Sequence, residues 1–266
     1  MNDHEAQLER EALSRLSRVQ GPAELHAAIL ALITPVDSVP SFVAWTTETQ
    51  DTPTAAVLRQ DVTALSDAAR LPCLEALLDR MRTQAKVDRR TLLESTRRVV
   101  AAFSPLRPID RLHWLLMRRR LGEKPPVAAL PEEHNDLAGL PGMTIMRIAS
   151  VAAYLSRMVP GADPAAGRSW YLTTMSALVD PESVPPCLPP DGDALARALL
   201  DIEALPWMLR PVLLRGWVSA ALGTSQRARL WPTAADALRM VAVLLDSPLP
   251  PELARHYMEL DWATRR

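Results

Sequence analysis

Apolar residues recur at three- and four-residue intervals along almost the whole chain, and prolines stand where one such run ends and the next begins. That pairing constrains the fold most. Proline at the first helical position loses no N–H that the helix needs and presets φ, and many of the 24 prolines stand where a helix would start, so they punctuate a series of helices rather than break one. Glycine is scarce at 9, and no stretch alternates apolar and polar residues with the period of a strand. The expectation is an all-α protein, a multi-helix bundle of about nine to eleven helices.

The first helix is expected over Asp3 to Val19, and Gly21-Pro22 opens a second that ends near Pro35. Residues 35–54 look irregular, and a short helix follows near Pro53 to Ser66. Pro72 opens a segment with Leu74, Leu77, Leu78 and Met81 on one face. Asp88 is placed to cap the next helix, with Leu92, Leu93, Thr96, Val99, Val100 and Phe103 inward and Glu94 and Arg98 paired at i, i+4 outside. Pro108 opens a helix that ends in Arg118-Arg119-Arg120, where positive charge suits the carboxyl end of the dipole.

These helices make up residues 1–121; 122–142 read as a linker and 143–266 as a second helical half. In that half Ile145, Ile148, Ala152 and Leu155 form one stripe, and Asp163-Pro164 reads as a cap and first turn. Further helices carry Leu195, Leu199 and Ile202, then Leu213, Leu214 and Val218, then Leu238, Val241 and Leu245, with a last one opened by Pro251. Segments 72–121 and 194–246 share a three-helix plan, which suggests an internal duplication.

Composition sets the class. Apolar residues are 48% and charged residues 23%, as in a globular protein, and the formal net charge of -1 leaves no global field to attract nucleic acid. Of 30 basic side chains only Lys86 and Lys124 are lysines. Cys73 and Cys187 have neither a disulfide framework nor a C-x-x-C spacing, and the polar start Met-Asn-Asp-His-Glu has no secretory pattern, so a cytoplasmic protein is expected. The apolar stretches are short or are interrupted by Arg147 and Arg157, so no membrane insertion is expected.

Catalytic patterns are missing one by one. None of His4, His26, His113, His134 and His256 stands four from another, so no H-E-x-x-H zinc helix exists. Glycine-rich phosphate loops and a G-x-S-x-G elbow are also absent. Cys187 lies in a proline-rich loop without a neighbouring base, and Cys73 adjoins an apolar helix face. Glu132, Glu133, His134 and Asp136 form the densest polar cluster and are weak candidates for a metal, without EF-hand spacing; a solvated charge run is the plainer reading. No cofactor is implied.

Partner-binding residues are the remaining candidates. Arg97, Arg98, Arg118 and Arg119, with Arg89, Arg90 and Arg120, would form one basic surface if their helices pack together, diluted by Glu94 and Asp110. Trp114, Trp217 and Trp231, with Trp207 and Trp262, are candidate anchors, since tryptophan is enriched at interface hot spots.

Leu71-Pro72-Cys73-Leu74-Glu75-Ala76-Leu77-Leu78, then Asp88-Arg89-Arg90-Thr91-Leu92-Leu93, and later Leu244-Leu245-Asp246-Ser247-Pro248-Leu249-Pro250-Pro251 resemble the carboxy-terminal helical region of bacterial membrane-anchored metallopeptidases related to CAAX-prenyl proteases. That region looks like tandem TerB-like units, and the resemblance covers roughly residues 55–251, including Ala162-Asp163-Pro164-Ala165-Ala166 between the two units. It implies two TerB-like helical units plus amino-terminal helices. The zinc motif and membrane helices of those peptidases have no counterpart in these residues, so the resemblance does not imply peptidase activity.

TerB-like units carry an acidic Ala-Asp-Gly turn. Here the corresponding stretches are Ala101-Ala102-Phe103-Ser104-Pro105 and Ala220-Ala221-Leu222-Gly223-Thr224, without a carboxylate to hold a cation. The function expected is a non-catalytic helical module that binds another protein, an adaptor or regulatory subunit, with homo-oligomerisation left open. Two alternatives stand beside it. One is an all-helical enzyme or metal or small-molecule binder using the loop at 132–136; the other, disfavoured, is nucleic-acid binding through the arginine-rich helix face.

Overall fold

A computed structural model of the chain describes residues 3–103, 105–122, 136–225 and 229–258. Among the described residues it is all-helical, with thirteen α-helices and no strand. No helix there is long and apolar enough to cross a membrane. The chain divides into two compact units, Met1–Glu123 with Tyr257–Arg266, and Lys124–His256. The residues from Tyr257 thus count with the first unit, whereas the sequence places them in the second half.

The first unit holds α1 (Asp3–Leu16), α2 (Pro22–Ile33), α3 (Val39–Thr49), α4 (Ala55–Thr63), α5 (Asp67–Arg82), α6 (Lys86–Ala101) and α7 (Pro108–Leu121). Helix α2 is apolar on nearly every side, with Leu25 and Ala27 to Ile33 all buried. A helix of that kind is stable only when surrounded, and α3, α4, α5 and α6 all pack on it. Arg15 of α1 reaches the buried Asp61 of α4 at 2.7 Å.

Three local expectations change. Residues 35–54 are not irregular, because Val39–Thr49 is a helix. Its β-branched residues weaken helix propensity, but Ser38 caps the first turn, Pro40 sits within it, and Trp45 is buried against α2 with its indole N–H donating to the Ala27 carbonyl at 3.1 Å. Pro72 does not open a helix but lies inside α5, which starts at Asp67. The Ala68 carbonyl, which the absent N–H of Pro72 leaves without its i+4 donor, accepts instead from the Met258 N–H at 3.3 Å. Asp88 lies in the first turn of α6 rather than at its cap, which is Ala85.

Of the residues expected inward on α6, Leu92, Thr96, Val99 and Phe103 are buried and Leu93 and Val100 half-buried. Glu94 pairs with Arg90 at 3.2 Å, not with Arg98.

The second unit holds α8 (Gly142–Leu155), α9 (Pro164–Ser176), α10 (Gly192–Glu203), α11 (Leu209–Thr224), α12 (Pro232–Leu244) and the single turn α13 (Pro251–Ala254). Its core is built around Trp170, fully buried, whose indole N–H donates to the Trp217 carbonyl at 3.0 Å and so ties α9 to α11. Tyr171 donates to the Pro185 carbonyl at 2.7 Å and fixes the proline-rich loop. As the sequence indicates, Asp163 caps α9, accepting from the Ala165 and Ala166 amides at 3.0 and 3.3 Å.

The two proposed repeats share helix order but not packing. Helices α5 and α6 both pack on α7, whereas the main partner of α10 is α8 and that of α11 is α9.

Gly167 lets α9 approach residue 156 closely, since a Cβ there would lie 1.9 Å from the Ser156 carbonyl oxygen. Gly167→Ala is therefore expected to cost about 1–3 kcal/mol despite the better helix propensity of alanine, read as a lower denaturation midpoint. A neutral or stabilising result would mean that α9 can slide away from residue 156 at no cost.

Candidate functional site

The basic surface forms on α6 and α7. Positions 111, 114 and 118 share one face of α7, positions 90, 94 and 97 one face of α6, and the two helices pack together. Trp114 is half-buried between them. The guanidinium of Arg97 lies 4.8 Å from its ring centroid and that of Arg118 6.0 Å, so two cations converge on one indole. Arg97, Arg111 and Arg118 have no carboxylate partner among the described residues.

The expected dilution by Asp110 does not occur. Asp110 is 1% exposed and is consumed inside, accepting from the Arg107 amide at 3.0 Å and from its guanidinium at 2.5 Å. Glu94 remains as the acid on this face, already paired with Arg90.

Not every predicted residue joins this surface. Arg98 is committed elsewhere, its guanidinium gripping Glu48 of α3 through two bonds of 2.6 and 2.8 Å. That bidentate contact holds the Glu48 carboxyl below its usual range, and it lies beside His26, whose proton affinity is lowered mainly by burial. Arg119 is half-buried and has contacts of its own. Arg120 pairs with Asp79 at 2.9 Å.

Trp217 is 1% exposed and belongs to the core of the second unit, so it offers no ring to a partner. Trp231 and Trp207 are open to solvent at 62% and 72%. Trp262, with Glu132, Glu133 and His134, lies outside the described residues. Asp136 is exposed, and among the described residues no group of three or more His, Cys, Asp or Glu could hold a metal ion. Cys73 is buried, and burial pushes its thiol up to about 12. Cys187 is half-buried with its sulfur 3.4 Å from the Ser156 hydroxyl.

A concave feature of the first unit escaped the sequence. Helices α3 and α4 both pack on α2 and line an open groove of about 820 Å³, together with Gln50, Thr52 and Pro53 between them. Phe42 and Trp45 stack at 6.2 Å between centroids along one wall, and the Arg59 guanidinium lies 4.9 Å from each ring. The aromatic pair at i, i+3 was legible, but only once 35–54 is a helix do the two rings share a face. In the second unit α9 and α11 flank a groove of about 750 Å³ lined by small residues such as Gly216, Ala220 and Gly223.

No known protein family, curated protein or solved structure matches the chain.

Proposed function

We propose that the protein is a non-catalytic binding module, an adaptor or regulatory subunit, whose α6–α7 face docks on an acidic surface of another protein. The observation that carries the reading is the convergence of Arg97 and Arg118 on Trp114 with neither guanidinium neutralised by a carboxylate among the described residues. Arginine stacked on an indole is already oriented and keeps its edge N–H groups for a carboxylate, so little side-chain freedom is lost on binding. Arginine and tryptophan are also the residue types that dominate interface energetics. The motif order that resembles a TerB-like region accords with a scaffold of paired helices serving as such a surface.

Crosslinked affinity capture from native cells, with wild type beside the Arg97→Glu/Arg118→Glu double variant, tests this. A specific protein retained by wild type and lost by a folded variant is expected. Equal recovery with both, or recovery of nucleic acid whose binding falls steeply with salt, would remove the reading.

A further inference from the structure

We infer that the α3–α4 groove of the first unit is a binding site for a small organic monocarboxylate with an apolar body, held by Arg59 against Phe42 and Trp45. The site is separate from the α6–α7 face and does not depend on it.

The groove has a volume within the range of small-molecule sites, about 300–1,000 Å³. Trp45 and Ala55 of its lining are buried, while Phe42 is 47% exposed. An apolar ligand body would therefore find one packed surface and one open ring to cover.

Arg59 is the sole charged residue of the lining, and its guanidinium has no ion pair or hydrogen-bond partner among the described residues. Inside the fold the half-buried guanidinium has the two rings as its contacts but no counterion. Burial, and secondarily the nearby Arg70, hold its proton affinity down, and an anion would relieve both.

The hydroxyls around it narrow the chemistry further. Those of Thr46, Thr49 and Thr63 donate to their own helices, at the carbonyls of Phe42, Trp45 and Arg59, and so can only accept from a ligand. The donors left in the lining are Arg59, the amides of Gln50 and Gln60, and the Thr52 hydroxyl. A guanidinium is a planar fork of N–H donors, which matches the two oxygens of a carboxylate. One guanidinium and no second cation in the lining suit a single negative charge rather than a phosphate dianion.

The probes are 4-phenylbutyrate and its neutral amide, titrated into the full chain while the Arg59 side-chain Nε–H resonance is followed. The acid is expected to shift that resonance saturably, and the amide to bind about tenfold or more weakly. Arg59→Gln should lower the affinity for the acid by about tenfold or more, while the melting temperature falls only by what the two ring contacts of the guanidinium contribute. Arg59→Lys keeps the charge but not the fork and should fall between the two, which preserves the test if the glutamine variant does not fold. No saturable shift, equal affinity for acid and amide, or an acid affinity unchanged in both variants would overturn the assignment.

Discussion

Lowering the pH from about 6.5 toward 4.5 is expected to destabilise the first unit steeply, and His113→Phe should flatten that dependence. The His113 imidazole sits in α7 with its Nδ1 buried and unpartnered. Burial lowers its pKa from 6.5 to about 3, helped by the cations Arg107 and Arg70. The folded state therefore binds the proton much more weakly than the unfolded chain. Above the unfolded value both states are neutral there and the contribution to stability is complete; as pH falls below it the unfolded chain takes up a proton that the folded one refuses.

The loss accrues at about 1.4 kcal/mol per pH step until the folded imidazole itself protonates near 3. Its total is at most about 5 kcal/mol, and smaller if water reaches the ring. Denaturant unfolding at a series of pH values reads it directly, with the wild-type slope minus the variant slope isolating His113 from His26 and the carboxylates. Parallel slopes would mean that His113 is as accessible to protons in the folded state as in the unfolded one.

Trp170→Ala should cost about 3–5 kcal/mol, concentrated in the second unit. The ring is fully buried, and its N–H donates to a carbonyl of α11, so the alanine variant loses both the packing and that bond. Trp170→Phe keeps most of the volume and loses the hydrogen bond, so it should cost less, about 1–3 kcal/mol. Equal stability of wild type and the alanine variant would contradict the packing described for α9 and α11.

The helical class was legible because proline placement and 3.6-residue periodicity agree, and so was the Asp163 cap. What escaped the sequence is instructive in physical terms. Helix α3 carries Val39, Val43, Thr46 and Thr47, which argue locally against a helix, and it forms because Trp45 packs on α2, a contact between residues 18 apart in sequence. Pro72 looked like a helix start because proline usually is one; a donor from residue 258 satisfies the carbonyl it strands.

The site was legible only in part for the same reason. Arg97, Trp114 and Arg118 lie on faces that helical spacing puts together once α6 and α7 pack. Spacing could not show that Arg98 turns to Glu48 of α3, that Asp110 faces inward, or that Trp217 belongs to the core. The Arg59 groove depended on a helix that propensity argues against.

The most direct test of the central claim, that the α6–α7 face is where a partner docks, is a photocrosslinking residue placed at position 90 in living cells, with position 172 as the control. Arg90 is 80% exposed and shares the Arg97 face, whereas Leu172, 48% exposed, lies on α9 in the second unit. The account predicts a discrete crosslinked protein from position 90, absent from position 172 and lost when Arg97→Glu and Arg118→Glu are added. The same crosslinks from both positions, or none from position 90, would contradict it.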